Sequence, residues 1–399
     1  MSGSKSFTGT VGTIARGIRT PLIKTGDNIV QIVVDSVMAA AKEENFGFND
    51  RDVIGVTEAV VARAQGNYAT CGQIAGDIRG KFPDGTLAIT FPILSRNRFS
   101  IILKGIAQGC DKLYIMLSYP SDEVGNELIS LELLDKAGVN PYTDLLTEKM
   151  YREKFGYNTK HLFTNVDYVE YYKTFGKHIE IIFANDIRKI LAFTKNVLCC
   201  DIHTRFRSKR LLKEAGAEIL YGLDEVLTKP AGGSGYNEQY GLLGSNKATD
   251  NTLKLFPRDC EQIVNQITQK IRNITGKQIE VMIYGDGAFK DPIGKIWELA
   301  DPVVSPAFTP GLIGTPNELK LKLLLDNELA GKSENEMTEA LDMALKSKDE
   351  NLKDKALGTT PRRYTDLLGS LCDLISGSGD KGTPVVLIQG YFNNYSSIL

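Results

Sequence analysis

The sequence predicts a mixed fold in two parts, a parallel α/β unit set into a core that both ends of the chain build. Three observations lead there. Between about residues 71 and 230, short apolar strands alternate with helical segments, the pattern of a parallel sheet with right-handed crossovers. Strand-like and helix-like segments flank that stretch on both sides, and glycines crowd into 231–245, 285–294 and 369–390. A chain of 399 residues, 42% hydrophobic and 24% charged, is long enough for two domains or for one with an insertion. The expected division is 1–70 with 231–399 as one core and 71–230 as the inserted unit.

Taken in order, the first 65 residues read as strand, helix, strand, with Thr20-Pro21-Leu22-Ile23 before a Gly26-Asp27 turn and helical apolar spacing from Ile29 to Ala41. Asp52–Val61 looks like a buried strand running into a helix. In the inserted unit, Lys112–Ser118, His178–Ala184, Val197–Ile202 and Glu218–Tyr221 read as strands. Asn126–Ala137, a segment capped at Asn185-Asp186 and running through Thr194, and Arg205–Ala215 read as helices. Beyond Gly232 come a strand at Lys277–Tyr284, a helical stretch over 315–356, a helix at Asp366–Ile375 and a last strand at Thr383–Gln389.

Composition excludes several classes. Forty-seven basic against 49 acidic residues give a net charge of −2, which argues against nucleic-acid wrapping or a membrane-surface role. The N-terminal residues lack the apolar core of a signal peptide, and no stretch is long and apolar enough to span a bilayer. Six cysteines without a CxxC pair read as reduced core thiols, so a cytoplasmic protein is expected. The three histidines, at 161, 178 and 203, are too scattered to announce a metal site.

Several segments carry donors suited to anions. Gly232–Asn246 reads equally as a nest of backbone N–H groups for phosphate and as a linker leaving the inserted unit. Tyr284–Trp297 places Asp286 straight after a strand, where a carboxylate can hold a hard cation or simply make an Asp-Gly turn. Ser376–Pro384 could cradle phosphates or be an exposed loop, and Arg362-Arg363 suit phosphate or carboxylate or form a solvated turn. In the inserted unit, Asp122 follows one strand, while His203 and Arg205 follow another at the start of a basic helix. Together they suggest a substrate subsite, though each is also a plausible helix-end residue.

These segments, in this order, resemble the coenzyme F420-0:L-glutamate ligase family. Thr20-Pro21-Leu22-Ile23 is similar to its Leu-Pro-Leu-Ile nucleotide-contact segment, which places Pro21, Leu22 and Ile23 at the nucleotide. The run from Val56 to Gly66 resembles its strand–helix motif; the nucleotide-binding Lys falls on Arg63, and its Ser-Lys pair is replaced by Glu58-Ala59. Gly241–Asn246 with Leu255–Asp259 resembles Gly-Ile-Asp-x-Ser-Asn and Leu-Pro-x-Asp, giving Asn246 as a nucleotide residue and Leu243 where a metal-binding Asp would stand. Gly285-Asp286-Gly287 with Pro292 resembles Ser-Asp-Thr-Phe-Gly-Arg-Pro, giving Asp286 as metal ligand. Asp366–Gly390 resembles the terminal helix, loop and strand. This places the nucleotide loop at Ser376, Gly377, Ser378, Gly379, Asp380, Lys381, Gly382 and Thr383, with Ser378 also at a metal position. Glu238, five residues before Leu243, is a nearby carboxylate for the missing ligand. The resemblance covers the first 65 residues and 235–392.

The resemblance implies an α+β core and a homodimer. It also implies a GTP- or ATP-dependent ligase, with Mg²⁺ or Mn²⁺, that joins L-glutamate to a carboxylate acceptor through an acyl phosphate. Asp286 and Arg63 would carry the chemistry. The acceptor is a deazaflavin precursor in the family; a folate-like or other acceptor is the alternative, since the inserted unit suggests a different shape. Leu243 and Gly287 favour a second reading, a nucleotide-binding sensor without catalysis. A redox unit is disfavoured by the lack of a GxGxxG fingerprint.

Overall fold

A computed structural model describes residues 11–157, 159–161, 164–285, 305–327, 329–348, 363–375 and 379–393. The fold is α+β, with three sheets. The central sheet of the core runs β1 (Ile14–Ile18), β14 (Val385–Gln389), β2 (Val53–Thr57), β12 (Glu280–Tyr284), β13 (Ala307–Phe308). Only β2 and β12 are parallel, and every residue of β2, β12 and β14 is buried. Continuous apolar runs form these strands because helices cover both faces. Helices α1 (Ile29–Glu43) and α9 (Cys260–Thr275) cover one face through Val33, Val37, Val264 and Ile267. Helix α12 (Tyr364–Ile375) covers the other through Leu368 and Cys372. The Asn28 side chain caps α1 by accepting from the Gln31 N–H at 3.1 Å.

The second sheet is parallel apart from one edge strand. It runs β6 (Leu146–Thr147), β7 (Ile179–Phe183), β5 (Lys112–Leu117), β4 (Thr86–Thr90), β8 (Asn196–Cys199), β9 (Ile219–Gly222), with β6 antiparallel to β7. The chain moves outward from β4 through β5 to β7, then returns to β8 on the other side of β4. That reversal opens a crevice at the carboxyl ends of β4 and β8. Helices α3 (Cys71–Lys81) and α4 (Arg98–Gln108) pack on one face with α6 (Glu148–Phe155) and α7 (Tyr168–Lys173), and α8 (Arg205–Glu214) packs on the other. A third sheet, β10 (Asn246–Thr249), β11 (Thr252–Lys254) and β3 (Tyr68–Thr70), ties the parts together. Leu253 and Leu255 join the same apolar cluster as α3 and α4.

Several elements differ from the sequence-based expectation. The first strand is Ile14–Ile18, and residues 20–23 lie outside any sheet. Of Asn126–Ala137 only α5 (Leu131–Lys136) is helical, because the Asp122 carboxylate captures the Val124 and Asn126 N–H groups in a turn. The segment after Asp186 is a 3-10 helix, Ile187–Ala192. The stretch from 315 holds two helices, α10 (Leu321–Asp326) and α11 (Glu334–Lys346), parted by a turn with Gly331 at φ +81°. All six cysteines are free and buried. No helix among the described residues is long and apolar enough to cross a membrane.

Candidate functional site

A cavity of about 920 Å³ lies where the β2–α2 corner, the β10–β11 hairpin and the strand-end crevice of the parallel sheet meet. Helix α2 (Glu58–Ala64) starts directly after β2, so Glu58 and Arg63 face the cavity from the core side. Asn246, Lys247 and Lys254 enter from β10 and β11. Arg96 and Arg98 enter from the loop after β4 and the start of α4, with Cys200 and Ile202 from the loop after β8. Among the described residues, Arg63, Arg96, Arg98, Lys247 and Lys254 thus share the walls with one acidic side chain, Glu58.

Glu58 and Lys254 pair inside this wall. The Lys254 ammonium donates to both carboxylate oxygens at 2.5 Å, and the side chains are only 10% and 3% exposed. Ala59 stands where the resemblance expects a lysine, and Lys254 brings an ammonium to its neighbour from a strand far along the chain. Beside Asn246, the Ser245 hydroxyl is buried without a hydrogen-bond partner and lines the cavity. A buried hydroxyl left without a partner costs about 1–3 kcal/mol, so this position favours a ligand that supplies one.

Several residues that the sequence places at a nucleotide lie together on the core side. Arg63 Nε donates to the Ile23 carbonyl at 2.7 Å, and the Thr20 N–H donates to the Gly382 carbonyl at 3.3 Å. Residues 20–23 therefore bridge α2 and the loop before β14. Ile23 is buried, but Leu22 is 90% exposed. The Thr57 N–H donates to the Pro384 carbonyl at 3.0 Å, which seats that loop at the carboxyl end of β2. Gly379, Asp380, Lys381 and Gly382 are exposed there, while the Thr383 hydroxyl is buried and without a partner. Arg63 and Asn246 line one cavity from opposite elements. Asp286, Ser376, Gly377, Ser378 and Arg362 lie outside the described residues.

Other expected residues are occupied elsewhere. Glu238 is exposed and does not line the cavity. Arg363 pairs with Asp366 at 2.8 Å at the start of α12. Asp122 is 7% exposed, and its carboxylate accepts from the backbone N–H groups of Leu94, Val124 and Asn126 and from the Asn126 side chain. Arg205 Nε lies 2.8 Å from Asp224 Oδ1, and its Nη1 donates to the Asp201 and Ile202 carbonyls. Both are braces of the strand-end loops, and neither lines the cavity. The His203 N–H donates to Glu123 at 3.1 Å while its side chain is exposed. The two strand-end loops do meet through that contact, but other residues face the ligand space. Those missed from sequence include Lys254, Arg96 and His161. Nothing local marks any of the three, because each reaches the cavity through its position in a sheet or loop.

No group of three His, Cys, Asp or Glu among the described residues could hold a metal ion. Leu243 lines the cavity with an apolar side chain. Fold and cavity together define an α+β protein with a cleft lined mainly by cationic side chains among its charged residues. The chain belongs to the F420-0:gamma-glutamyl ligase family, whose model matches residues 17–390. No protein in the curated set compared with the chain matches it.

Proposed function

We propose that the chain is a nucleotide-dependent ligase that joins the amino group of L-glutamate to a carboxylate on an anionic acceptor. The carrying observation is the cavity with Arg63 and Lys254 on its core wall and the unpartnered Ser245 hydroxyl beside Asn246. An acceptor carboxylate oxygen attacks the γ-phosphorus of GTP or ATP, and the nucleoside diphosphate leaves. The glutamate amine then attacks the acyl carbon, phosphate departs, and the amine gives up a proton to form the amide. Negative charge gathers on phosphoryl oxygens throughout, and fixed guanidinium and ammonium groups stabilise it without reorganising. In this reading Arg63, docked on Ile23, holds phosphate, and Asn246 and residues 376–383 contact the nucleotide. Asp286 would be the carboxylate that holds Mg²⁺ or Mn²⁺, which would supply charge neutralisation at the phosphates, a role that needs only one or two protein carboxylates.

Leu243 on the cavity wall favours a second reading, a sensor that binds nucleotide without turnover. Phosphate release from GTP and from ATP, with Mg²⁺ or Mn²⁺, separates the two when run with and without L-glutamate and a panel of carboxylate acceptors, folate-like ones included. Release that needs both glutamate and an acceptor, and that falls at least about tenfold in Arg63→Ala, is expected. Nucleotide binding with no release under any combination would refute the ligase.

A further inference from the structure

The wall supplied by the parallel sheet holds a donor pair that the nucleotide does not account for. His161 is 4% exposed and lines the cavity. Its Nδ1 accepts the backbone N–H of Thr164 at 3.1 Å. A backbone N–H only donates, so Nδ1 bears no proton, and Nε2 carries the one proton of the neutral ring. Burial lowers the affinity of this imidazole for a second proton. Nε2 has no hydrogen-bond partner among the described residues, so an N–H donor is left for whatever fills the cavity. Tyr168, on the first turn of α7, stands edge-on to the ring at 5.7 Å between centroids. That contact, with the Thr164 hydrogen bond, fixes the orientation of the imidazole.

Arg96 lies across the same wall. Among the described residues its guanidinium forms no ion pair or side-chain hydrogen bond, and its backbone carbonyl accepts from the Tyr171 hydroxyl at 3.4 Å, on the same helix as Tyr168. A fixed neutral N–H and a guanidinium without a partner among the described residues, lining one cavity, suit an oxyanion with further oxygens, as on a carboxylate or a phosphate. Phe99 and Ile102 add apolar surface to that wall.

We propose that Arg96 and His161 form the subsite that holds the acceptor. Arg96 takes an oxyanion of that molecule away from the reacting carboxylate, and His161 Nε2–H donates to a second oxygen. The proposal rests on the ligase reading for the word acceptor, but the anion site itself does not. Arg96 and His161 are positioning residues, and neither exchanges a proton in the reaction.

The test is an NMR titration of the full chain labelled with ¹⁵N-histidine, without nucleotide, with inorganic phosphate in one arm and glutarate in the other. The Nε2 signal of His161 is assigned by its disappearance in His161→Gln. It is expected to shift in at least one arm, and the arm that binds more tightly tells phosphate from carboxylate. Arg96→Ala should weaken that binding about tenfold or more, as loss of a charge-assisted hydrogen bond predicts. In acceptor-dependent turnover, Arg96→Ala should raise KM far more than it lowers kcat. His161→Ala should do the same, and His161→Gln, whose amide N–H can stand in for the Nε2–H, should recover most of the loss. An unmoved His161 signal in both arms, or unchanged affinity in Arg96→Ala, overturns the subsite. If no nucleotide is ever turned over while the titration succeeds, the ligase reading fails and the anion site stands. Normal turnover with a failed titration does the reverse.

Discussion

Glu58 and Lys254 show how much one pair can decide. Taking two charges out of water is costly, and their attraction returns that cost only while both remain. Lys254→Met would leave the buried Glu58 carboxylate without the ammonium that neutralises it. Urea unfolding should show Lys254→Met destabilised by about 3–5 kcal/mol, with Glu58→Gln added to it regaining most of the loss. A double variant no more stable than Lys254→Met would mean that the loss has another origin, such as packing. Asp122 and Arg205 teach the opposite lesson from the same kind of site. Both stand at strand ends, as the sequence indicates, yet their polar atoms are consumed by neighbouring backbone. A polar residue after a strand marks the loop that builds a cleft without saying which way its side chain turns.

At the scale of elements, β2 and α12 pack closely. A Cβ added at Gly55 would lie 2.5 Å from Cys372 Sγ and 3.3 Å from a Tyr284 ring carbon. Gly55→Ala should therefore destabilise the protein by about 1–3 kcal/mol, the range for an overpacked core. Cys372→Ala, which removes the obstructing sulfur, should restore part of that in the double variant. Equal losses from Gly55→Ala with and without Cys372 would show that the sulfur is not what the new methyl meets. The strands that were legible, such as β5, β7, β12 and β14, are predominantly apolar runs because both faces of their sheets are largely covered. Strands β3, β10 and β11 were not legible. They hold three or four residues each, mostly with polar or half-exposed faces, and only their partners make them strands. Lys254 sits on one of these, so the element that completes the core wall was hidden along with its residue. Arg63 and Asn246 were legible because they lie within longer motifs. Arg96 and His161 were not, since irregular loops carry no period to read.

Across the whole molecule, burial raises the carboxyls of Asp122, Glu123 and Asp201, three groups on the loops above the parallel sheet, above their ordinary range. Hydrogen bonds from nearby N–H and O–H groups pull each back only in part. The folded chain thus keeps these protons to higher pH than the unfolded chain does. Their contribution to stability is complete below about pH 4 and is lost as pH rises through the raised values. Glu123→Gln removes one such group, so its stability should fall less steeply than that of the parent between about pH 4 and 7. Parallel curves from urea titrations across that range would show that Glu123 titrates alike in both states.

The pairing of β1 with β14 joins Ile14 to Gln389 and Ile18 to Val385. On the ribosome, β1 and β2 emerge early, and the two strands that flank β2 are made long after them. The parallel sheet between them closes by Gly222, from neighbours all made within one stretch of chain. Translation thus delivers one wall of the cleft before the other has a sheet to stand on. Strand β1 thus waits unpaired until β14 is made, and the nascent chain carries the strands of the parallel sheet before the central sheet of the core can close.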